Sequence, residues 1–362
     1  MARRANGPLR RGWTTGACAA AAARAAAEAL LTGRFPDPVT IRLPRGGRAE
    51  FALALQEVGD GTARAGIIKD AGDDPDVTHG ALVITELAPL PAGSGLRFRA
   101  GAGVGTVTRP GLSLAVGEAA INPAPRAMIA AAIAEAAARC DATLDDVAVT
   151  VSIPDGEALA AKTLNARLGI VGGLSVLGTT GLVIPYSCAS WIHSIHRGID
   201  VARAAGLTHI AASTGSTSEA AVQRLFALPD AALIDMGDFV GGTLKYLRRH
   251  PLPRLTIAGG VAKLAKLAAG HLDLHSARSR VDQAMLTQLL GELGAPDDVM
   301  RAAAAAASAG EALTIAGAHG PALAERIARR AREVALATLA GGIAVDVALF
   351  DRKGALIAHA QR

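Results

Sequence analysis

The sequence predicts a two-domain protein of mixed α and β structure, an N-terminal α+β domain followed by a parallel-sheet α/β domain. Three observations lead there. The chain has 362 residues, more than one ordinary core holds and comfortable for two. Its first half mixes short β-prone runs with two helical stretches, an α+β pattern. From about Leu168, short apolar runs repeatedly meet glycine or serine and then a helix, and such alternation implies a parallel, Rossmann-like sheet. The boundary is expected between Pro154 and Gly169. The expected parts are a loose arm over 1–11, an α+β domain over 12–160 and an α/β domain over 161–362.

The elements follow in order. Thr14-Thr15-Gly16 supplies a cap for a helix from Ala17 to about Leu31, closed by Gly33 and Pro36. Strands are expected over 39–43, 49–58, 63–68, 81–87 and 96–100, separated by turn residues. Pro123 and Pro125 open a helix running through Met128 to Ala138, and 147–153 reads as a strand. In the second domain, Ile170–Val171, His209–Ala212 and Leu255–Ala258 each lead into a glycine- or serine-bearing turn. Residues 231–236 and then 241–249 add another strand and helix. The region 282–340 reads as helical, broken at Gly291, Gly294 and Gly310, with a last strand over 344–350.

Composition narrows the function classes. Hydrophobic residues make up 51% but aromatics only 3%, so alanine inflates the apolar count and the core is packed from small residues. The net charge of +5 suits nucleic acid, an anionic membrane or an acidic small molecule. No lysine or arginine run stands beside aromatics, which argues against nucleic acid. The three cysteines have neither CxxC nor zinc spacing, which fits a reducing compartment and a cytoplasmic location. Arg3, Arg4, Arg10 and Arg11 before an alanine run imitate a secretory signal. That run is weakly hydrophobic and gives way to Arg24 and Glu28, so it reads as a soluble helix. No stretch reaches the ~20 apolar residues of a membrane span. Homo-oligomerisation stays open.

The most informative motif is Lys69–Gly80, KDAGDDPDVTHG. Asp70, Asp73, Asp74 and Asp76 crowd one turn that ends in His79. Such crowding is either a solvated turn or a site where backbone N–H groups or a ligand absorb the charge. Crowded carboxylates are expected to raise one another's pKa, and a group brought toward neutrality suits proton transfer. Residues Gly169–Gly181 hold five glycines and three hydroxyl residues. Gly172, Gly173, Ser175, Gly178 and Thr179 are candidate ligand contacts there, though some of these glycines are plain turns. The GxGxG segment from Gly101 continues as strand, so it is no dinucleotide loop; Arg109 beyond it is a candidate counter-ion for an anion. Asp235 and Asp238 fall at the expected carboxyl end of a strand, where an acid often meets ribose hydroxyls or caps the next helix. His271 and His275 sit in a loop and do not make a metal site; His193 and His196 read as a helix face.

Several ordered segments together resemble one family. Leu9–Gly33, Lys69–Gly80, Gly103–Arg126, Leu168–Pro185, Gly237–Gly242 and Lys263–Ser276 resemble the CbiD family, the cobalt-precorrin-5B C-1 methyltransferases of cobalamin biosynthesis. The resemblance runs from about residue 9 to 290. It implies methyl transfer from S-adenosylmethionine to a ring carbon of a polycarboxylate tetrapyrrole; the spacing of the acidic and histidine residues, read by itself, predicts no metal site. The site roles expected with it are catalysis by His79, Asp73 and Asp70, and cofactor contacts from Gly172, Gly173, Ser175, Gly178, Thr179, Asp235 and Asp238. Substrate contacts are expected from Arg109, Arg126, Thr14 and Thr15. One departure stands out: Tyr186-Ser-Cys188 occupies the place where the family often has Met-Ser-Glu-Glu. A nucleotide-dependent oxidoreductase and a non-catalytic tetrapyrrole carrier are the rival readings, and binding of S-adenosylmethionine but not NAD separates them.

Overall fold

The computed structural model describes residues 8–361, so the first seven residues of the expected arm lie outside the described residues. The chain forms two compact units that divide between Ser187 and Cys188.

The first unit runs β1 (Gly12–Trp13), α1 (Thr15–Thr32), β2 (Val39–Arg42), β3 (Arg48–Phe51), β4 (Leu55–Gly59), β5 (Thr62–Ile68), β6 (Leu82–Pro89), β7 (Arg97–Ala100) and β8 (Thr106–Val107). It continues with α2 (Pro123–Arg139), β9 (Val147–Ser152), α3 (Gly156–Ala160), β10 (Ile170–Val171) and β11 (Leu182–Val183). The main sheet has the order β4-β5-β6-β9-β7. Its pairs are antiparallel except β7 with β9, which is parallel. The expected strand over 49–58 is two strands. β3 pairs with β2 in a separate hairpin, and β4 then turns to pair with β5, so the chain changes partner between Phe51 and Leu55.

Helix α1 is the centre of this unit. Alanine, the best helix former, fills most of it, and Thr14 caps it by accepting from the Ala17 N–H at 3.2 Å. Gly33 ends it in the left-handed conformation, φ 72°. Every residue from Ala17 to Ala27 is at most 7% exposed, so the helix is buried all round rather than amphipathic. Methyl side chains let β5, β6 and α2 approach it closely. One charge enters this interior. Arg24 donates to the Thr40 carbonyl at 2.5 Å and to Glu28 at 3.2 Å, and reaches Glu135 at 3.3 Å, so its guanidinium is paired where it is desolvated.

Residues 161–187, expected in the second domain, pair with the first unit. β10 pairs antiparallel with β8, and β11 with β1. The reason is backbone satisfaction: Leu174 N–H donates to Gly103 O at 2.9 Å and Val176 N–H to Ala120 O at 2.8 Å. Ile170–Val171 therefore does not begin the parallel sheet.

The second unit holds α4 (Cys188–Ala204), β12 (His209–Ser213), α5 (Ser216–Phe226), β13 (Leu233–Asp235), α6 (Val240–Arg249), β14 (Arg254–Gly260) and α7 (Val261–Ala268). Then come α8 (Gln283–Glu292), α9 (Asp297–Ala304), α10 (Ala309–Ile315), α11 (Gly320–Leu339), β15 (Ala344–Phe350) and β16 (Leu356–Ala360). Its sheet has the order β13-β12-β14-β15-β16, parallel except for the antiparallel edge strand β16. Helix α5 packs against β12 to β15, while α6 and α7 each pack on α11, and α11 lies on β15 and β16. The helices part at Gly294 as expected, but Gly291 and Gly310 lie inside helices, and the other breaks fall around Ser308 and at Gly317. Strand β16 escaped sequence reading because its alanines give no β signal.

The burial of α1 generates a prediction. Ala22 is fully buried, so Ala22→Leu overpacks the helix against the sheet and is expected to lower stability by about 1–3 kcal/mol. Ala131→Leu, on the exposed side of α2, is expected to stay within about 0.5 kcal/mol. Urea denaturation of the two variants measures the contrast.

Candidate functional site

The acidic loop is built onto the strand that precedes α1. The Trp13 N–H donates to the Asp70 carbonyl at 2.7 Å and the Asp73 N–H to the Arg10 carbonyl at 3.0 Å. Gly12 and Gly72 make this approach feasible. A Cβ on Gly12 would stand 2.0 Å from the carbonyl carbon of Ala71, and one on Gly72 2.2 Å from the carbonyl oxygen of Arg10. The same strand, β1, pairs on its other side with β11, and Thr14 and Gly16 donate to the Gly181 and Leu177 carbonyls at 2.9 and 2.8 Å. The segment Arg10–Gly16 thus holds the acidic loop and the glycine-rich segment together.

Each aspartate has a separate partner. Asp70 takes the Arg10 guanidinium fork at 2.5 and 2.9 Å and the Gly72 N–H at 2.9 Å. That Arg10 contact, with the Gly72 N–H, holds its carboxyl down at about 2. Asp73 accepts from the Arg10 N–H at 2.6 Å, and Asp74 from the Tyr186 N–H at 2.8 Å. Asp76 pairs with Lys69, whose side chain is 1% exposed and also donates to Thr78 at 2.6 Å. Burial raises the Asp76 carboxyl, but Lys69 and the Thr78 hydroxyl and N–H outweigh it, and the net shift is downward. The expected mutual rise in pKa therefore does not occur at Asp70 or Asp76, because cations and N–H groups meet each charge. His79 is half exposed, and its Nδ1 accepts from the Ala71 N–H at 3.1 Å. In the neutral ring the proton then sits on Nε2.

The glycine-rich segment is largely occupied by its own packing. A Cβ on Gly173 would lie 2.2 Å from the Gly103 carbonyl oxygen. Asn165 donates to Gly173 O at 3.2 Å and accepts from the Ser175 hydroxyl at 3.3 Å. The missing side chain of Gly178 admits the Thr14 side chain, while Gly172 faces open space. Thr179 is exposed beside Gly178. Thr15 is buried in the first turn of α1. Arg126 is also engaged. It donates to the Ile121 and Ala119 carbonyls at 2.8 and 3.1 Å, pairs with Glu118 and lies over the Phe98 ring. Arg109 is exposed, with a 3.4 Å bond to the Arg167 carbonyl.

Asp235 and Asp238 belong to the second unit, whereas the glycine-rich segment belongs to the first. The Asp235 carbonyl accepts from Trp191 Nε1 at 3.2 Å. Asp238 does not cap α6, whose first turn has no side-chain cap; it pairs with Lys263 of α7. His196 stacks on Tyr246 at 3.9 Å, as a helix-face residue does. Among the described residues, no three His, Cys, Asp or Glu side chains are grouped as metal ligands. The Cys18 thiol is pushed up to about 12 by burial, which leaves no thiolate nucleophile there. No helix of the described residues is long and apolar enough to cross a membrane.

Sequence reasoning passed over a cavity in the second unit. It holds about 650 Å³ and is lined by 214–218 after β12, 260–263 after β14 and 350–352 after β15. The available signal was the pair of turns Ser213-Thr-Gly215 and Gly259-Gly260, each at a strand's carboxyl end.

Two predictions follow from this geometry. Asp70 has a depressed pKa, so its contribution to the docked loop is complete above the ordinary value of 3.8 and fades as pH falls toward about 2. Carboxyl titration by NMR is expected to place Asp70 near 2 in the native chain and closer to 3.8 in Arg10→Ala. Gly173→Val, in turn, is expected to destabilise the first unit, because its branched side chain meets backbone at Gly103. A native-like melting temperature for that variant would contradict the packing described.

Known proteins confirm the kinship. The CbiD family model matches residues 2–185, and the model described as CbiD, C-terminal domain, matches residues 273–361. The Cobalt-precorrin-5B C(1)-methyltransferase of Bradyrhizobium sp. (strain BTAi1 / ATCC BAA-1182) is 60% identical, over 97% of this chain and 94% of its own. The protein of the same name from Halorhodospira halophila (strain DSM 244 / SL1) is also 60% identical over the same shares. A crystal structure of a cobalamin biosynthesis protein (CbiD) from Archaeoglobus fulgidus is 30% identical, with a TM-score of 0.41, covering 75% of this chain and 83% of that one. With relatives this similar over nearly the whole length of both chains, the protein belongs to the CbiD family.

Proposed function

We propose that this protein methylates C-1 of cobalt-precorrin-5B in cobalamin biosynthesis, using S-adenosylmethionine. The observation that carries the reading is 60% identity over 97% of the chain to proteins named for that reaction. When bound, S-adenosylmethionine supplies a methyl group already activated on a sulfonium. The tetrapyrrole carbon attacks the methyl, the C–S bond breaks, and the electron pair stays on sulfur as S-adenosylhomocysteine forms. No covalent protein nucleophile is required, so orientation of the two reactants supplies much of the rate, on the order of 7–11 kcal/mol.

The basic balance of the chain suits a polycarboxylate substrate. Arg109, exposed and weakly engaged, is the arginine we assign to a substrate carboxylate; Arg126 stabilises the turn at 118–121 instead. Within the acidic loop, Asp70 is a poor proton acceptor because Arg10 holds its pKa at about 2. We assign proton acceptance to the exposed Asp73 and hydrogen-bond donation from Nε2 to His79. The finer fold reading, an α+β first unit and a Rossmann-like second one, is supported by the mixed sheet with its two long helices, α1 and α2, and by four parallel strands.

Incubation of the purified chain with cobalt-precorrin-5B and S-adenosylmethionine carrying a ¹³C methyl is expected to place the label at C-1, read by NMR. Absence of both labelled product and S-adenosylhomocysteine would sink the proposal. Asp73→Asn and His79→Ala are each expected to lower kcat by about 10²-fold with the fold intact. Wild-type rates in both would leave the loop a purely structural turn.

A further inference from the structure

We infer that S-adenosylmethionine binds in the cavity at the carboxyl edge of the second unit's parallel sheet, and not on the Gly172–Gly181 segment. The inference rests on the reading that this protein uses that cofactor.

Topology singles out the place. From β12 the chain crosses to β13 on one side, and from β14 it proceeds to β15 on the other. Consecutive connections therefore leave in opposite directions at the β12–β14 pair, which opens a crevice outside the strand ends. The cavity lies in that crevice, walled by the turn after β12 and the turn after β14.

Its volume of about 650 Å³ falls within the roughly 300–1,000 Å³ of single small-molecule sites. The lining divides by chemistry. Thr214, Ser216 and Thr217 offer hydroxyls, and Val261, Leu313 and Ile357 offer apolar surface. That combination suits a nucleoside joined to an amino acid: a purine against the aliphatic wall, ribose and carboxylate among hydrogen-bonding groups. Helices α5 and α7 both begin at this cavity behind glycine caps, Gly215 and Gly260, which provide no side chain to the first-turn N–H groups. A single carboxylate is well met by such groups.

The tetrapyrrole fits this place less well. Its many carboxylates call for several cations, whereas the lining contributes Lys263, already paired with Asp238, and Arg352. Asp238 then acts as a positioning residue that fixes Lys263 in the wall. At the alternative cofactor locus two of the glycines are taken up by protein: Gly173 is closed off by the Gly103 backbone and Gly178 by Thr14.

Two glycines make a direct test. A Cβ on Gly215 meets nothing within 4 Å, and one on Gly260 meets only the Phe350 carbonyl at 4.0 Å. Both backbones are extended, with φ 170° and −77°, so other residues fit them without strain. Gly215→Val and Gly260→Val are expected to keep the native melting temperature and to weaken S-adenosylhomocysteine at least tenfold by calorimetry on the full chain. Hydrogen exchange on the unmodified protein gives a second readout: the nucleoside is expected to protect amides of 214–218 and 260–263. Binding to the native chain with unchanged affinity in both variants, or protection confined to 172–181, overturns this location while leaving the cofactor in place. Failure of the native chain to bind S-adenosylhomocysteine at all overturns the cofactor reading and this inference with it.

Discussion

The first unit depends on a helix that has no side chain larger than a methyl along most of its buried length. Helix α1 is enclosed by β2, β5, β6 and α2, and its residues from Ala17 to Ala27 are nearly inaccessible. Alanine contributes little apolar area of its own, so close packing rather than side-chain bulk has to supply cohesion. That closeness sets the position of everything attached to the helix start. Thr14 caps it, Gly16 donates to the Leu177 carbonyl, and the strand before it carries the acidic loop on one side and β11 on the other. A displacement of α1 would be felt in both segments that carry the sequence motifs.

Electrostatic satisfaction shapes the acidic loop more than repulsion does. Four carboxylates sit within a short turn, yet each finds its own donor: Arg10 for Asp70, the Arg10 and Tyr186 N–H groups for Asp73 and Asp74, Lys69 for Asp76. The buried Lys69 is the costly member, since an amino group with 1% exposure gives up its water and needs partners in exchange. Asp76 and Thr78 provide them. The loop is therefore a preorganised rim whose outward groups, Asp73 and His79, are exposed to solvent.

The second unit solves a different problem. Parallel strands leave their carboxyl ends at one edge, and helix starts gather there. Two glycine-capped helices and the turn after β15 enclose a space there instead of closing it with side chains. Asp346, buried in β15, is paired with Arg254 at 2.6 Å, so the sheet interior carries a satisfied charge while the edge stays open.

The sequence by itself determined the alternation of strand and helix after residue 209, the capped alanine helix, the antiparallel strands of the first half and, through ordered motifs, the family. These are local or nearly local: caps, periodicity and turn residues act within a few positions of the chain. Only the tertiary structure decided that residues 161–187 pair with the first unit, because hydrogen bonds from Leu174 to Gly103 and from Val176 to Ala120 join segments more than fifty residues apart. Only it decided that glycines 173 and 178 serve close backbone and side-chain approach, since a glycine spared for a ligand and one spared for a neighbouring strand look alike in sequence. The same holds for charge. Four aspartates within seven positions predict repulsion, and whether it is relieved depends on where Arg10 and Lys69 stand in space.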